Sequence, residues 1–159
     1  MMAVRVAERK QQVTTPMRVQ RKRTKGFKLQ AVCSNGLPTV YVGRPTKYGN
    51  PFNGLGTVEL TLVWYREVVS GGWNPKVVPD YYADWQYRLV YEAQHNFVAG
   101  FREWNMTPQD AARTYLRGHD LACWCALCPA HTDGKPFDVE CADCAPCNAD
   151  FLLAICNSS

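Results

Sequence analysis

"TPQDAARTYLRGHDLACWC", residues 107–125, is the stretch on which the fold turns. Thr107 can cap a helix through its hydroxyl, Pro108 suits the first helical position, and Asp110 complements the positive end of the dipole. Gly118 then closes the helix. Leu121–Trp124 follows as a short buried strand. A capped helix delivered straight into a buried strand points to a sheet covered by helices rather than to a helical bundle.

Working outward, Thr39–Val42 is β-branched and aromatic and reads as a second strand. "PMRVQRKRTKGF", Pro16 to Phe27, reads as a basic strand or extended segment closed by Gly26. Thr57–Gly71 is predicted as a helix. Asp80–Trp104 is predicted as a long one, with Trp85, Leu89, Ala93, Phe97, Phe101 and Trp104 recurring every three to four residues. That aromatic stripe is expected to face the core, with His95 an ordinary helical side chain. "NADFLLAIC" is predicted as the terminal helix. The expected fold is α/β (or α+β): a small, largely parallel sheet flanked by helices, with a zinc-binding loop insertion near the C-terminus. Residues 1–15 are expected to form a disordered basic arm, and 16–159 one domain in which 126–146 is the insertion.

The chain has 159 residues, 47% of them apolar and 12% aromatic, enough for a real core rather than a disordered segment. No apolar run is long enough to span a bilayer, and the charged start lacks the apolar region of a secretory signal. A cytoplasmic, reducing setting is expected, which favours metal binding or reactive thiols over disulfides. Charge is split between the halves. Residues 1–50 carry eleven Lys or Arg against the single acid Glu8, whereas 51–159 carry seven basic and thirteen acidic residues; +10 and −6 recover the overall +4. A polyanionic partner follows, either nucleic acid or a phosphorylated small molecule.

"GRPTKYGNPF", residues 43–52, continues the Thr39–Val42 strand into a loop that Gly43, Pro45, Gly49 and Pro51 keep irregular. Backbone amides exposed by the glycines, with two added cations, suit an anion. Gly43, Arg44, Lys47, Gly49 and Asn50 are the candidate residues for a phosphate-bearing ligand. The pattern is neither a P-loop nor a dinucleotide fingerprint.

Six of the eight cysteines, together with His131, lie between Cys123 and Cys147. On a strand Cys123 and Cys125 share a face. Beyond it, Cys128-x2-His131 and Cys141-x2-Cys144 are two short pairs flanking a loop, the spacing of a tetrahedral zinc site. An all-cysteine set of Cys125, Cys128, Cys141 and Cys144 fits the spacing too, with Cys147 as a further candidate. Two metals, one metal with a functional thiol, and one metal with inert cysteines are all compatible with seven donors. Cys33 and Cys156 read as small buried side chains.

Three stretches, "RVQRKRTKGF" (18–27), "VYVGRPTKYGNPF" (40–52) and "LRGHDLACWC" (116–125) with "CNADFLLAI" (147–155), resemble the domain of unknown function 4326 family of bacteria, their phages and some archaea. The resemblance spans about residues 16 to 157. This chain has Asn148 where the family pattern has histidine. Its 126–146 connection is longer than in many members. An insertion bringing four ligands of its own would be self-sufficient, which favours Cys128, His131, Cys141 and Cys144 as the zinc ligands. Cys123, Cys125 and Cys147 are then the constellation shared with the family. The resemblance implies that the 43–50 loop and this cluster are where function lies. Both follow carboxyl ends of predicted strands, so parallel neighbouring strands would bring them into one site.

The leading functional expectation is a zinc protein that binds or modifies a nucleotide or nucleic-acid fragment. In it, Cys123, Cys125 or Cys147 supplies a thiolate and Asp150 sits nearby as a catalytic candidate. The alternatives are a non-enzymatic nucleic-acid-binding zinc protein using Arg18 to Lys28, and a phage-borne protein–protein interaction module. No catalytic triad or deaminase signature is present to choose an enzyme outright.

Overall fold

The computed structural model describes residues 14–29 and 35–158. The expected arm, apart from Thr14 and Thr15, and Cys33 lie outside the described residues. Four strands form one sheet: β1 (Met17–Gln20), β2 (Thr39–Tyr41), β3 (Asp120–Cys123) and β4 (Lys135–Pro136), in the order β2-β3-β1-β4. β3 runs parallel to both β1 and β2, and β4 is antiparallel to β1. Among the described residues four α-helices accompany the sheet: α1 (Val58–Ser70), α2 (Asp84–Ala99), α3 (Pro108–Tyr115) and α4 (Asn148–Asn157). The architecture is α/β with a mostly parallel sheet. No helix among the described residues is long and apolar enough to cross a membrane.

Helix boundaries follow their end signals. The Thr57 hydroxyl accepts from the Leu60 amide at 3.2 Å to start α1, and Gly71 ends it in the left-handed region at φ 77°. Thr107 accepts from the Asp110 amide at 3.1 Å to start α3. That helix ends at Tyr115, and Gly118 (φ 74°) makes the turn that launches β3. All four residues of β3 are buried, as expected of a strand with parallel neighbours on both sides and both faces covered.

Two expectations change. The long helix stops at Ala99, and Arg102–Trp104 forms a separate 3₁₀ turn. Its stripe is core only at the C-terminal end: Phe97 and Phe101 are buried, while Trp85, Leu89 and Trp104 are exposed. Periodicity reported the helix, but not how much of it the rest of the protein covers. The 126–146 segment, expected as a loop, contributes strand β4 at the sheet edge. Pro136 is tolerated there because an edge strand does not need every N–H. The Phe137 amide extends the contact, donating to the Pro16 carbonyl at 3.1 Å.

Candidate metal and ligand site

β2 and β3 are parallel neighbours, with Tyr41 paired to Ala122, so their carboxyl ends open side by side. The loop after β2 and the turn after β3 therefore face each other. Between them lies a cleft of about 230 Å³, lined by Gly43, Arg44, Asn50, Asn53, Cys123, Trp124, Cys125 and Asn148. This is the crevice position that ligands occupy in open α/β sheets.

The loop is held tightly. Thr46 donates through both its amide (3.0 Å) and its hydroxyl (2.7 Å) to the Gly43 carbonyl, and the Gly49 amide donates to Thr46 at 3.0 Å. The Tyr41 hydroxyl donates to the Arg44 carbonyl at 2.8 Å. A Cβ on Gly49 would lie 2.8 Å from the Arg44 amide nitrogen, a backbone atom that cannot swing aside. Gly49→Ala should therefore displace the loop and cost about 1–3 kcal/mol, as overpacking does. Equilibrium denaturation checks it, and a change under about 0.5 kcal/mol, the ordinary surface range, would show that the loop is not pinned there.

The candidate anion residues are divided by this geometry. Gly43, Arg44 and Asn50 face the thiol cleft. Lys47 does not: it is turned to the end of α2, where it donates to the Gly100 carbonyl at 2.7 Å, pairs with Glu103 and lies 4.6 Å over the Trp104 ring. Asn50 spends its side chain on the loop itself, accepting from the Phe52 amide at 2.9 Å. A second cavity of about 450 Å³ lies on the other side of the loop, against α2, and shares Arg44 and Asn50 with the cleft while holding no thiol.

Beside the cleft is a basic and aromatic surface that charge counting alone did not locate. The Arg21 guanidinium lies 4.7 Å over the Tyr41 ring and 5.1 Å from Trp124, and that of Arg23 lies 5.0 Å over Trp124. Tyr41 and Trp124 meet edge to face at 6.5 Å, and Trp124 is 41% exposed. Arg21 and Trp124 directly follow β1 and β3, Tyr41 ends β2, and Arg23 lies two residues beyond Arg21. Parallel strands deliver them to one rim, a juxtaposition no local pattern carries.

The cysteines separate into two clusters. The donor atoms of Cys128, His131, Cys141 and Cys144 lie within 4.8 Å of one another, and so do the three sulfurs of Cys123, Cys125 and Cys147. In the first group Cys128 Sγ is 3.2 Å from His131 Nδ1 and 3.8 Å from Cys141 Sγ, and Cys144 Sγ is 3.4 Å from the same nitrogen. A tetrahedral zinc with bonds near 2.3 Å sets sulfur–sulfur edges of about 3.8 Å, so the residues present fit a metal. The Cys128 amide donates to Cys144 Sγ at 3.3 Å. Backbone N–H groups of Asp143 and, more weakly, Cys144 hold the Cys141 thiol below its ordinary pKa. Cys125, the alternative fourth ligand, belongs to the other cluster.

In the trio, Cys147 begins α4 and its sulfur accepts from the Ala149 amide at 3.4 Å. Cys125 is the acidic member: hydrogen bonds from Cys123 and then Cys147, together with the Arg18 guanidinium, pull it down to about 3 against the opposing effect of burial. The contact with Cys125, with burial, pushes Cys123 up to about 12, and the contacts with both other sulfurs push Cys147 well above its ordinary value. None of the three is in a disulfide.

Asp150 is not beside the cleft. Its carboxylate accepts from Arg18 Nη1 at 2.5 Å and lies 3.0 Å from Lys135 Nζ. Arg18 also donates to the carbonyls of Ala145 (2.8 Å) and Ala126 (3.1 Å). Arg18 thus ties α4 to both ends of the 126–146 segment, and Asp150 anchors that tie. The sequence reading placed Arg18 in a phosphate-contacting segment, Arg18 to Lys28, but the side chain is fully buried and bound internally; that reading missed Lys135, Asn53 and the Asn148 contact, in which the side-chain amide donates to the Tyr48 carbonyl at 3.1 Å. The apolar neighbours Met17 and Val19 of Arg18, within an otherwise basic segment, were the one available signal.

A model of the family described as a domain of unknown function (DUF4326) matches residues 19–158. Comparison with curated proteins and with solved structures gave no match.

Proposed function

The chain belongs to the domain of unknown function 4326 family, and from that premise we propose that it is a zinc protein that binds a nucleotide or nucleic-acid fragment at the carboxyl edge of its sheet. Zinc at Cys128, His131, Cys141 and Cys144 serves as the scaffold, since four protein donors leave no open position. The ligand lies along the rim formed by Arg21, Arg23, Tyr41 and Trp124 and enters the adjoining cleft past Arg44. The observation that carries this reading is the pair of arginines lying over two rings, next to a thiol-floored cleft. Rings and guanidinium planes accept stacked bases, and the same arginines meet phosphates. The cleft volume of about 230 Å³ is below the roughly 300–1,000 Å³ of pockets that enclose a whole small molecule. It suits one end of a ligand whose remainder stays on the rim.

A short fluorescein-labelled oligothymidine tests the reading by anisotropy across a salt series. Saturable binding is expected, with a log–log salt slope of about −2 for three phosphate contacts at −0.7 each. Trp124→Ala should weaken binding by about 5- to 150-fold, the loss of one stacked base at 1–3 kcal/mol. Replacing Arg21 and Arg23 together with glutamine should bring the slope toward −0.7. Absence of saturable binding at low salt, or a slope unmoved by the double substitution, would defeat the reading. The second arm excludes general stickiness: a Lys76→Gln control, a cation remote from this rim, should leave the slope as it was.

A further inference from the structure

The four-ligand cluster uses up a tetrahedral site, which leaves the trio without a stated role. Three features mark it as more than buried thiols. Its sulfurs converge within 4.8 Å although the residues come from a strand, the turn after it and the start of a helix. Its thiols form the floor of the cleft through Cys123 and Cys125, while Cys147 lies behind them and is buried. Its charge environment also suits a metal–thiolate centre: the fully buried Arg18 guanidinium acts on all three sulfurs, and three thiolates on a divalent ion carry one net negative charge that a buried cation stabilises.

We infer that Cys123, Cys125 and Cys147 hold a second divalent metal whose fourth coordination position opens into the cleft. This inference deepens the ligand-binding reading above by placing a metal where the bound fragment ends. Soft thiolate donors in a three-ligand set select zinc among the common divalent ions, and three protein ligands with an open place are the pattern of catalytic rather than structural sites. The open position can take a water, a hydroxide or an anionic oxygen of the ligand. Asn148, whose side-chain oxygen lies 3.5 Å from Cys147 Sγ, lines the cleft beside it and can orient whatever occupies that place. Arg18 acts as an outer partner by electrostatic contact with the sulfurs.

Metal content per chain of the full-length protein purified under reducing conditions tests this directly. Two zinc ions are expected in the native protein, one in Cys128→Ser/Cys144→Ser, one in Cys125→Ser/Cys147→Ser, and two in the control Cys156→Ser. The native count stands by itself should a double variant not fold. Cobalt substituted into Cys128→Ser/Cys144→Ser should give thiolate charge-transfer bands, and visible bands that shift on adding azide or inorganic phosphate, because the open position exchanges. Cobalt in Cys125→Ser/Cys147→Ser should not respond. One zinc in the native protein overturns the inference, and so do trio bands that ignore both anions. Two zinc ions without oligothymidine binding would sink only the proposed function; binding with one zinc would sink only the second metal.

Discussion

Cys128→Ser combined with Cys144→Ser is expected to release residues 126–146 from the body of the protein and lower the melting temperature by on the order of 10 °C. A metal held by the two pairs, as proposed, would supply folding free energy outright, since nothing comparable to the site exists in the unfolded chain. The segment it organises is not peripheral. It carries β4, which covers the outer edge of β1, and its ends provide the Ala126 and Ala145 carbonyls that accept from Arg18. Freeing it strands two donors of a guanidinium that is fully buried. At about 1–3 kcal/mol for each unsatisfied buried group, the cost is about 2–6 kcal/mol. At 2–4 °C per kcal/mol for a chain of this size, that is the stated shift. Thermal denaturation reads the magnitude, and hydrogen exchange reads the place. Protection should vanish over 126–146 and survive in α1 and α3. A melting temperature within about 2 °C of native, less than one kcal/mol at this chain size, would show that the cluster organises nothing beyond itself.

Arg18→Met should be the most destabilising single substitution among the residues discussed, at about 3 kcal/mol and at the low end of the 3–5 expected for breaking a buried ion pair. The low end applies because Asp150 is 28% exposed and keeps Lys135 as a partner. Arg18→Lys should recover only part of the loss. An ammonium holds the charge but cannot reach, from one nitrogen, the carboxylate and two carbonyls that the planar fork spans. Asp150→Asn should cost less than Arg18→Met, since its amide oxygen can still accept from Arg18. Urea unfolding of the three variants gives the ordering. Arg18→Met costing less than 1 kcal/mol, or Arg18→Lys matching native, would show that the guanidinium is not the tie between α4 and the 126–146 segment.

Much of this was legible in residues whose information is local. Thr57, Thr107, Pro108 and Gly71 mark helix ends because each satisfies or frees a backbone group within a few residues of itself. The two short cysteine pairs were legible for the same reason, since a tight turn fixes the direction of both donors. Sheet order was not. Whether Cys125 joins Cys128 or Cys123 depends on where Cys147 lands, and that is decided by α4 packing under β1 and β3. Lys47 and Asp150 were assigned to the site by their nearness in sequence to Arg44 and Cys147. The structure turns both side chains to other partners, Glu103 and Arg18, because an irregular loop and a helix start give consecutive residues different directions. Trp85 and Leu89 lie exposed for a related reason: periodicity shows that a helix has an apolar side, not that the rest of the protein is long enough to cover it.

The sheet order has a consequence for how the chain is made. β1, near the beginning, has as its neighbours β3 and β4, whose paired residues lie more than a hundred positions further on, from Arg18 to Leu121 and to Lys135. During synthesis from the N-terminus, β1 must wait unpaired while α1, α2 and α3 emerge, and β2 waits with it for β3. The sheet closes only when the last third of the chain is out, and every ladder in it pays a long loop closure. The candidate metal ligands lie in that same last third. Closing the sheet and, on the proposed reading, capturing the metal are thus late and nearly simultaneous events, and a ribosome stalled before residue 120 would carry helices with no sheet to pack on.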